Sequence, residues 1–271
     1  MHDRLDAIHW QAWRPVAVMM AVGALSAMPA AAQIDDGGPR RTRVTLGPEL
    51  VPAFPGADRV RLSPLVDVSR APGDDPIAFE APDESAGFAL WQRGGFAIGP
   101  ALNLVGRRLA RDTDGLLPTV GRTVELGGSL QYAVSPSWRL RTEVRQGIGG
   151  HRGLVAGLSA DYVARDADRW LFSIGPRVTL SNARFDRAYF GVSAGDAARS
   201  GLGVYRPGGG VQAVGVTAGF LRAIGGPWGL YTYARYDRLV GDDAASPVTR
   251  RFGSRSQPAG GIGLSYTFGG R

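Results

Sequence analysis

"WRLRTEVRQGIGGHRG", residues 138–153, alternates between two kinds of side chain. Every second residue from Trp138 gives Trp, Leu, Thr, Val, Gln and Ile, whereas every second residue from Arg139 gives Arg, Arg, Glu, Arg and Gly. Because successive side chains of a strand point to opposite faces, this stretch predicts a strand with one apolar and one charged face. A soluble sheet also alternates, so the rest of the chain must decide what each face meets.

The same alternation recurs along the chain, in "VELGGSLQYAV" (124–134), "LVAGLSADYV" (154–163), "RWLFSIGPRVTLS" (169–181) and "WGLYTYARYDRLV" (228–240). After residue 32, no stretch has a helical period over three turns. The pattern predicts an all-β chain.

The predicted connections alternate in length. Short turns fall near 136–137, 166–168 and 225–227, and long polar links fall at 109–121, 185–210 and 242–256. Short turns on one side and long loops on the other are typical of an antiparallel transmembrane β-barrel of the bacterial outer membrane. The apolar faces would then meet lipid and the charged faces a hydrated interior. Three tryptophans directly follow the short turns, where aromatic side chains suit the membrane interface, namely Trp138, Trp170 and Trp228.

We predict twelve strands, an even number that leaves both termini in the periplasm, with ten as the alternative count. Their predicted bounds are 43–53, 59–69, 76–82, 87–92, 95–108, 122–135, 138–149, 154–165, 169–184, 211–224, 228–240 and 257–268.

The N-terminus predicts a secretory signal peptide at 1–32, because an apolar run (15–27) precedes the small residues Ala30–Ala32. A periplasmic segment (33–42), the barrel (43–268) and a short tail (269–271) would follow. The protein is thus expected in the outer membrane, exported through the periplasm.

Composition excludes several classes of function. All 31 basic residues are Arg and the net charge is +7, but acidic residues are interspersed, so no block suited to nucleic acid stands out. Cysteine is absent, and His151 is the one histidine after residue 32. No Cys/His metal cluster can form there, no calcium loop motif occurs, and no cofactor is predicted.

Several stretches resemble the MipA/OmpV family of outer-membrane proteins, which is named for an interaction with a murein-cleaving transglycosylase. They are Phe54–Asp58, Thr123–Tyr132, Trp138–Tyr162, Tyr189–Tyr205 and Ser246–Phe268. The resemblance implies a non-enzymatic barrel that acts as a scaffold. Its implied partners are a murein synthase and a murein hydrolase, the latter a lytic transglycosylase.

The charged faces supply the candidate site. Arginines and carboxylates on facing strands either form ion pairs that close the lumen or line an anion-preferring channel. The predicted lumen-facing set is Glu125, Arg139, Arg141, Glu143, Arg145, Asp161, Arg177, Arg235 and Asp237. A second set of outer-loop arginines would contact lipopolysaccharide phosphates or stay solvated: Arg184, Arg187, Arg199, Arg206, Arg250, Arg251 and Arg255.

An enzymatic alternative rests on "GVSAG" (191–195), which fits G-x-S-x-G. His151 and Ser193 would both lie on the outer rim, with Asp196 orienting the histidine, as in a lipid-modifying hydrolase. The sequence favours loop architecture for this motif and a solvated turn for His151.

The leading function, a scaffold for murein remodelling, is what the family resemblance implies; a small-solute channel is the second hypothesis and a lipid-modifying hydrolase the third. The predicted turns of two to six residues offer little surface against the ~800 Å² per partner of a standard interface. Binding of a scaffold partner is therefore expected either to be weak or to use residues 33–41 as an extended arm.

Overall fold

The structure is a computed structural model, and it describes residues 40–269. The predicted signal peptide and most of the segment 33–42 lie outside the described residues. The strands are β1 (Arg40–Pro52), β2 (Val60–Pro72), β3 (Trp91–Arg93), β4 (Phe96–Val105), β5 (Thr123–Ser135), β6 (Trp138–Gly149), β7 (Leu154–Asp166), β8 (Trp170–Asn182), β9 (Gly209–Gly225), β10 (Trp228–Leu239) and β11 (Ser256–Phe268). The helices are α1 (Ala183–Tyr189), α2 (Ala194–Ser200), α3 (Gly241–Ala245) and α4 (Pro247–Phe252), and Ala110–Thr113 form a 3₁₀ turn.

All eleven strands form one antiparallel sheet in the order β2-β1-β11-β10-β9-β8-β7-β6-β5-β4-β3. Pairing of β1 with β11, which places Thr42 opposite Phe268, joins the first and last strands of the described range. The sheet curls into a barrel, because every strand except β3 contributes to the lining of one interior cavity. The described part of the chain contains no helix that is long and apolar enough to cross a membrane.

The outward face is apolar. The large hydrophobic side chains of β6 that were predicted to face lipid are about half exposed, as in Leu140, Val144 and Ile148. Edge-to-face contacts join Trp138 to Tyr162 and Trp228 to Tyr266, as expected for aromatic residues at one interface. The alternation of apolar and polar residues in the sequence therefore correctly predicts which side chains face outward from the barrel wall.

The two ends of the barrel differ, as the connection lengths predict. The β5–β6, β7–β8 and β9–β10 turns lie at one end, which we call the turn end. Long connections cover the other, which we call the cap end, and carry all four helices. Apolar side chains of these connections, of α1 and of the adjoining end of β10 pack together in a cluster that includes Phe54, Phe185, Tyr189, Phe190 and Leu239.

The strand predicted at 76–82 is not a strand. Residues 73–85, which we call the inner segment, leave the wall after β2 and contact inward-facing side chains instead. The strand predicted at 87–92 is reduced to β3, preceded by an isolated pairing of Ala86 with Leu102. Within residues 40–269 the sheet therefore has eleven strands, close to the predicted twelve. Residues 40–42, predicted to precede the barrel, belong to β1.

Candidate functional site: the charged lumen and its inner segment

The nine charged residues predicted to face the lumen all lie on the inward face. Seven are buried, and Arg141 and Arg235 are partly buried. They come from β5, β6, β7, β8 and β10, so the charges of the adjacent strands β5 to β8 lie side by side on the inward face.

Asp161 is the centre of one ion-pair network. One carboxylate oxygen lies 2.9 Å from Arg139 Nη2, and the other lies 2.8 Å from Arg177 Nη2. The side chain of Asp161 is 1% exposed, so both pairs are shielded from water. A carboxylate at this depth needs such partners, because burial of an unpaired charge is costly.

Glu125 and Glu143 form a second network nearer the cap end. Arg145 donates from Nε to Glu125 at 2.8 Å and from Nη1 to Glu143. Glu143 also accepts from Arg141 Nη2 at 3.3 Å. On β10, Arg235 Nη2 lies 2.5 Å from Asp237. Of these four contacts, Arg145–Glu125 joins neighbouring strands, whereas the other three join residues two apart on one strand.

The inner segment supplies further carboxylates to the same arginines. Asp83 accepts two hydrogen bonds from Arg177, at 2.8 and 3.1 Å, and one from Thr217 at 2.9 Å. Glu84 forms an ion pair with Arg139. This fork-shaped contact between Arg177 and Asp83 is the strong, geometrically specific kind of charge-assisted bond.

Backbone atoms of the inner segment are held as well. Arg165 donates to the carbonyl of Ile77 at 2.9 Å, and Arg139 donates to that of Phe79 at 3.0 Å and stacks over the Phe79 ring. The N–H of Ile77 donates to Asp168 at 3.1 Å, and Arg41 donates to Gly73 at 2.8 Å. Contacts along most of its length thus fix the segment inside the barrel.

A chamber of about 450 Å³ remains between the inner segment and the cap. Its polar wall includes Glu49, Glu125, Arg141 and Asp237, and its apolar wall lies beneath the helices. Tyr233 of β10 donates to Glu49 of β1 at 2.7 Å, over Gly261 of the intervening β11. The lumen is therefore partly filled, with one mixed-polarity chamber on the cap side.

His151 is not solvated, contrary to the prediction from the sequence. The residue is 3% exposed, its Nε2 lies 3.1 Å from Glu125, and its Nδ1 accepts the N–H of Gly153 at 3.0 Å. Its ring packs edge-on against Phe185 of α1. The absence of a side chain at Gly147 makes this possible, because a Cβ there would fall on the imidazole. His151 therefore joins the wall to the cap.

Ser193 caps a helix. Its hydroxyl donates to Asp196 Oδ2 at 2.6 Å and accepts the N–H of Asp196 at 3.2 Å, a reciprocal cap of α2. Ser193 and Asp196 thus bond each other, whereas His151 bonds Glu125. The arrangement that the hydrolase alternative needs, a serine bonded to a histidine that an aspartate orients, is not formed.

All seven predicted outer-loop arginines are exposed at the cap end. Arg199 pairs with Asp196, and Arg255 donates to the carbonyl of Ala244 at 3.0 Å. Arg187 and Arg251 also reach backbone carbonyls, of Pro207 and Ser200 respectively. These side chains stabilise the cap and still present positive charge to the outside.

Two further charged residues of the cap are buried. Arg108 is 2% exposed, donates to the carbonyls of Tyr189 and Pro118 at 2.6 and 3.2 Å, and has its pKa lowered by burial. Neither carboxylate oxygen of Asp243 has a hydrogen-bond partner. Burial, and then the neighbouring charges of Asp186 and Asp242, raise the pKa of Asp243 to about 8.

The sequence did not indicate Asp83, Glu84, Arg108 or Asp243 as site residues. A signal for the first two exists: residues 73–85 contain five carboxylates and the prolines Pro76 and Pro82. Such a composition is unsuited to a strand whose neighbours meet lipid. Nothing in the local sequence distinguishes Arg108 or Asp243 from solvated loop charges.

An all-antiparallel sheet that curls around paired charges and turns apolar side chains outward defines an outer-membrane β-barrel protein. A family model described as "MltA-interacting protein MipA" matches residues 44–268. The chain belongs to this family.

Solved structures to which the chain is similar include three outer-membrane proteins. OmpF of Salmonella typhi, in complex with daunomycin, is 12% identical with a TM-score of 0.35; the match covers 75% of this chain and 57% of that one. The COG4313 outer-membrane channel of Pseudomonas putida F1 is 10% identical, with coverages of 89% and 100% and a TM-score of 0.37. OprG of Pseudomonas aeruginosa is 11% identical, with coverages of 86% and 97% and a TM-score of 0.25. A comparison with curated protein sequences returns no match.

Proposed function

We propose that the protein is a non-enzymatic scaffold of the outer membrane with two partners. One is a murein hydrolase of the lytic transglycosylase type, and the other is a murein synthase. Membership of a family described by its interaction with MltA carries this proposal. On this proposal the chain is exported through the periplasm after loss of residues 1–32, and the turn end faces the periplasm.

The partly filled lumen favours a scaffold over a channel. Asp83 and Glu84 form ion pairs with Arg177 and Arg139, respectively, two arginines that would otherwise attract anions. Planar bilayers containing the protein are therefore expected to show no stable single-channel steps. Anion-selective conductance whose selectivity Arg141→Glu reverses would contradict the scaffold proposal and support the channel hypothesis. The chamber of about 450 Å³ would then be the solute-binding site.

The turns of the turn end are short, so a partner is expected to bind the residues that precede β1. Deletion of residues 33–39 leaves Arg40 and Arg41 in β1 and should weaken capture of a purified lytic transglycosylase while the barrel still assembles. The matched control is Arg206→Ala, at the cap end, which should leave capture unchanged. Equal capture by the parent and by the deletion variant would show that residues 33–39 do not bind the enzyme. If the parent itself captures no enzyme, the scaffold proposal is wrong.

A further inference from the structure

The chamber on the cap side has the size of a ligand-binding site. Its volume of about 450 Å³ lies within the roughly 300–1,000 Å³ of pockets that hold small organic molecules. Phe54, Val155 and Phe185 form part of its apolar wall. Arg61 of β2 also lines the chamber and is itself exposed, so solvent reaches the space beside this strand. A small molecule with an apolar part therefore has both access and a surface to contact.

One buried amide on the chamber wall has no partner in the described part of the protein. Gln212 of β9 is 7% exposed, lines the chamber and forms no side-chain hydrogen bond there. It is the extra residue of a β-bulge, because its neighbours Val211 and Ala213 lie opposite consecutive residues of β8. Bulges re-aim side chains and are frequent next to active sites. Since buried polar groups are nearly always hydrogen-bonded, this carboxamide is available to a ligand group that both donates and accepts.

The chamber also holds a carboxylate that has no cationic partner among residues 40–269. Glu49 accepts at Oε2 from the Tyr233 hydroxyl, and its Oε1 has no hydrogen-bond partner in this range. Five other carboxylates line the chamber, and each forms an ion pair with an arginine: Asp83, Glu84, Glu125, Glu143 and Asp237. A partly enclosed carboxylate without such a pair attracts a cation, and an ammonium group is a strong donor to its free oxygen.

Arg61 is the unpaired cation of the same chamber. Four other arginines line the chamber, and each pairs with a carboxylate: Arg141, Arg145, Arg177 and Arg235. Arg61 forms no ion pair within the described residues, because its side chain and that of Glu49 extend in different directions. Glu49 turns to Tyr233 over Gly261, whereas a Cβ added to Gly106, directly after β4, would lie 3.4 Å from Arg61 Nη2. One negative and one positive group therefore face the chamber separately.

We propose that the chamber binds a zwitterion of the size of a dipeptide, with apolar side chains. Its ammonium group would pair with Glu49, its carboxylate with Arg61 and its internal amide with Gln212, while its side chains contact the apolar wall. Each polar group of a free dipeptide thus meets an atom that has no partner among the described residues. A ligand with only one charge would leave either Glu49 or Arg61 unpaired.

This inference goes beyond the scaffold proposal. The chamber lies on the cap side, whereas the murein enzyme is expected to bind the residues that precede β1 at the turn end. Binding of a dipeptide and capture of a lytic transglycosylase can therefore succeed or fail independently.

Calorimetric titration of the purified full chain in detergent micelles with leucyl-leucine tests the inference. Two blocked ligands separate the charges: N-acetyl-leucyl-leucine has no ammonium group, and leucyl-leucine amide has no carboxylate. We expect saturable binding of leucyl-leucine. Blocking either terminus should raise the Kd roughly tenfold or more, because a hydrogen bond between charged groups is lost. These comparisons use the unchanged protein, so they do not depend on the folding of any variant.

Three variants then assign the contacts, provided that they keep the heat-modifiable gel mobility of the parent. Glu49→Gln should bind leucyl-leucine and its acetylated form with equal affinity, and Arg61→Gln should no longer distinguish leucyl-leucine from its amide. Gln212→Leu should weaken all three ligands. The matched control is Arg93→Gln, which removes an exposed arginine of β3 that does not line the chamber and should leave all three affinities unchanged.

Several results would overturn the inference. Equal affinity of the parent for the three ligands would show that apolar contact alone drives binding. A loss of affinity on blocking only one terminus would show a site for a single charge, such as the end of a longer chain. Absence of saturable binding by the parent, or equal weakening by Arg93→Gln and Arg61→Gln, would likewise contradict a dipeptide site in the chamber.

Discussion

Replacement of Asp161 by Asn should strongly destabilise the barrel. Asp161 is 1% exposed and bridges Arg139 and Arg177 at 2.9 and 2.8 Å. Loss of one member of a buried ion pair typically costs 3–5 kcal/mol, because the remaining charge stays buried without compensation. Here Arg139 keeps Glu84 and Arg177 keeps Asp83, so we expect the lower end of that range, about 3 kcal/mol of unfolding free energy.

The measurement is urea-induced unfolding in detergent micelles, followed by tryptophan fluorescence and by gel mobility without boiling. Asp58→Asn is the matched control, since Asp58 is half exposed and its contact with Arg59 is 3.7 Å long. An exposed pair of this kind contributes about 0–1 kcal/mol. If Asp161→Asn unfolds within about 0.5 kcal/mol of the parent, as neutral surface substitutions do, the ion pairs do not hold the lumen together.

Three further predictions concern the lumen and the cap. Glu143→Gln should lower the unfolding midpoint without producing conductance, because Arg145 and Arg141 lose a shared carboxylate; anion-selective steps in a bilayer would contradict this. Gly147→Ala should displace the His151 imidazole and loosen the cap, seen as faster proteolysis of the α1 region, whereas Gly203→Ala, with no atom near the added methyl and no left-handed backbone conformation, should not. Asp243 binds its proton more tightly when folded, with a pKa of about 8, so the cap should lose stability as the pH rises from about 4 to 8. Asp243→Asn should remove this loss, and hydrogen exchange at pH 5 and pH 9 compares the two proteins; equal pH dependence in both would contradict the assignment.

The strands of the wall could be predicted because the alternation of apolar and polar residues that defines each strand lies within its own sequence. In β6 and β8 the alternation is strict, and lipid on one side and charge on the other make a shift by one residue costly. The predicted bounds 138–149 are those of β6. The four helices could not be predicted, since segments of five to seven residues are too short for a periodic signal.

The prediction failed where tertiary contacts override a local pattern. Ile77, Phe79 and Ala81 alternate as a strand would, but the arginines of β6, β7 and β8 that hold this segment are distant in sequence. His151 lies next to glycines in a turn, and its burial depends on α1, which folds over it. The charged residues of the wall were predicted because alternation fixes their face, whereas Asp83 and Glu84 face the arginines because of the path of the chain.

The position of the inner segment has a consequence for the order of assembly. Asp83 is 94 residues from Arg177, and β1 pairs with the last strand of the chain. The binding site for the segment is therefore complete only after β6, β7 and β8 have formed their hairpins, although the segment precedes these strands in the chain. Until then its carboxylates have no buried partners, so it must enter a nascent barrel whose wall is still open. Closure of the β1–β11 seam would then trap it, and maturation of this protein should be limited by that late step.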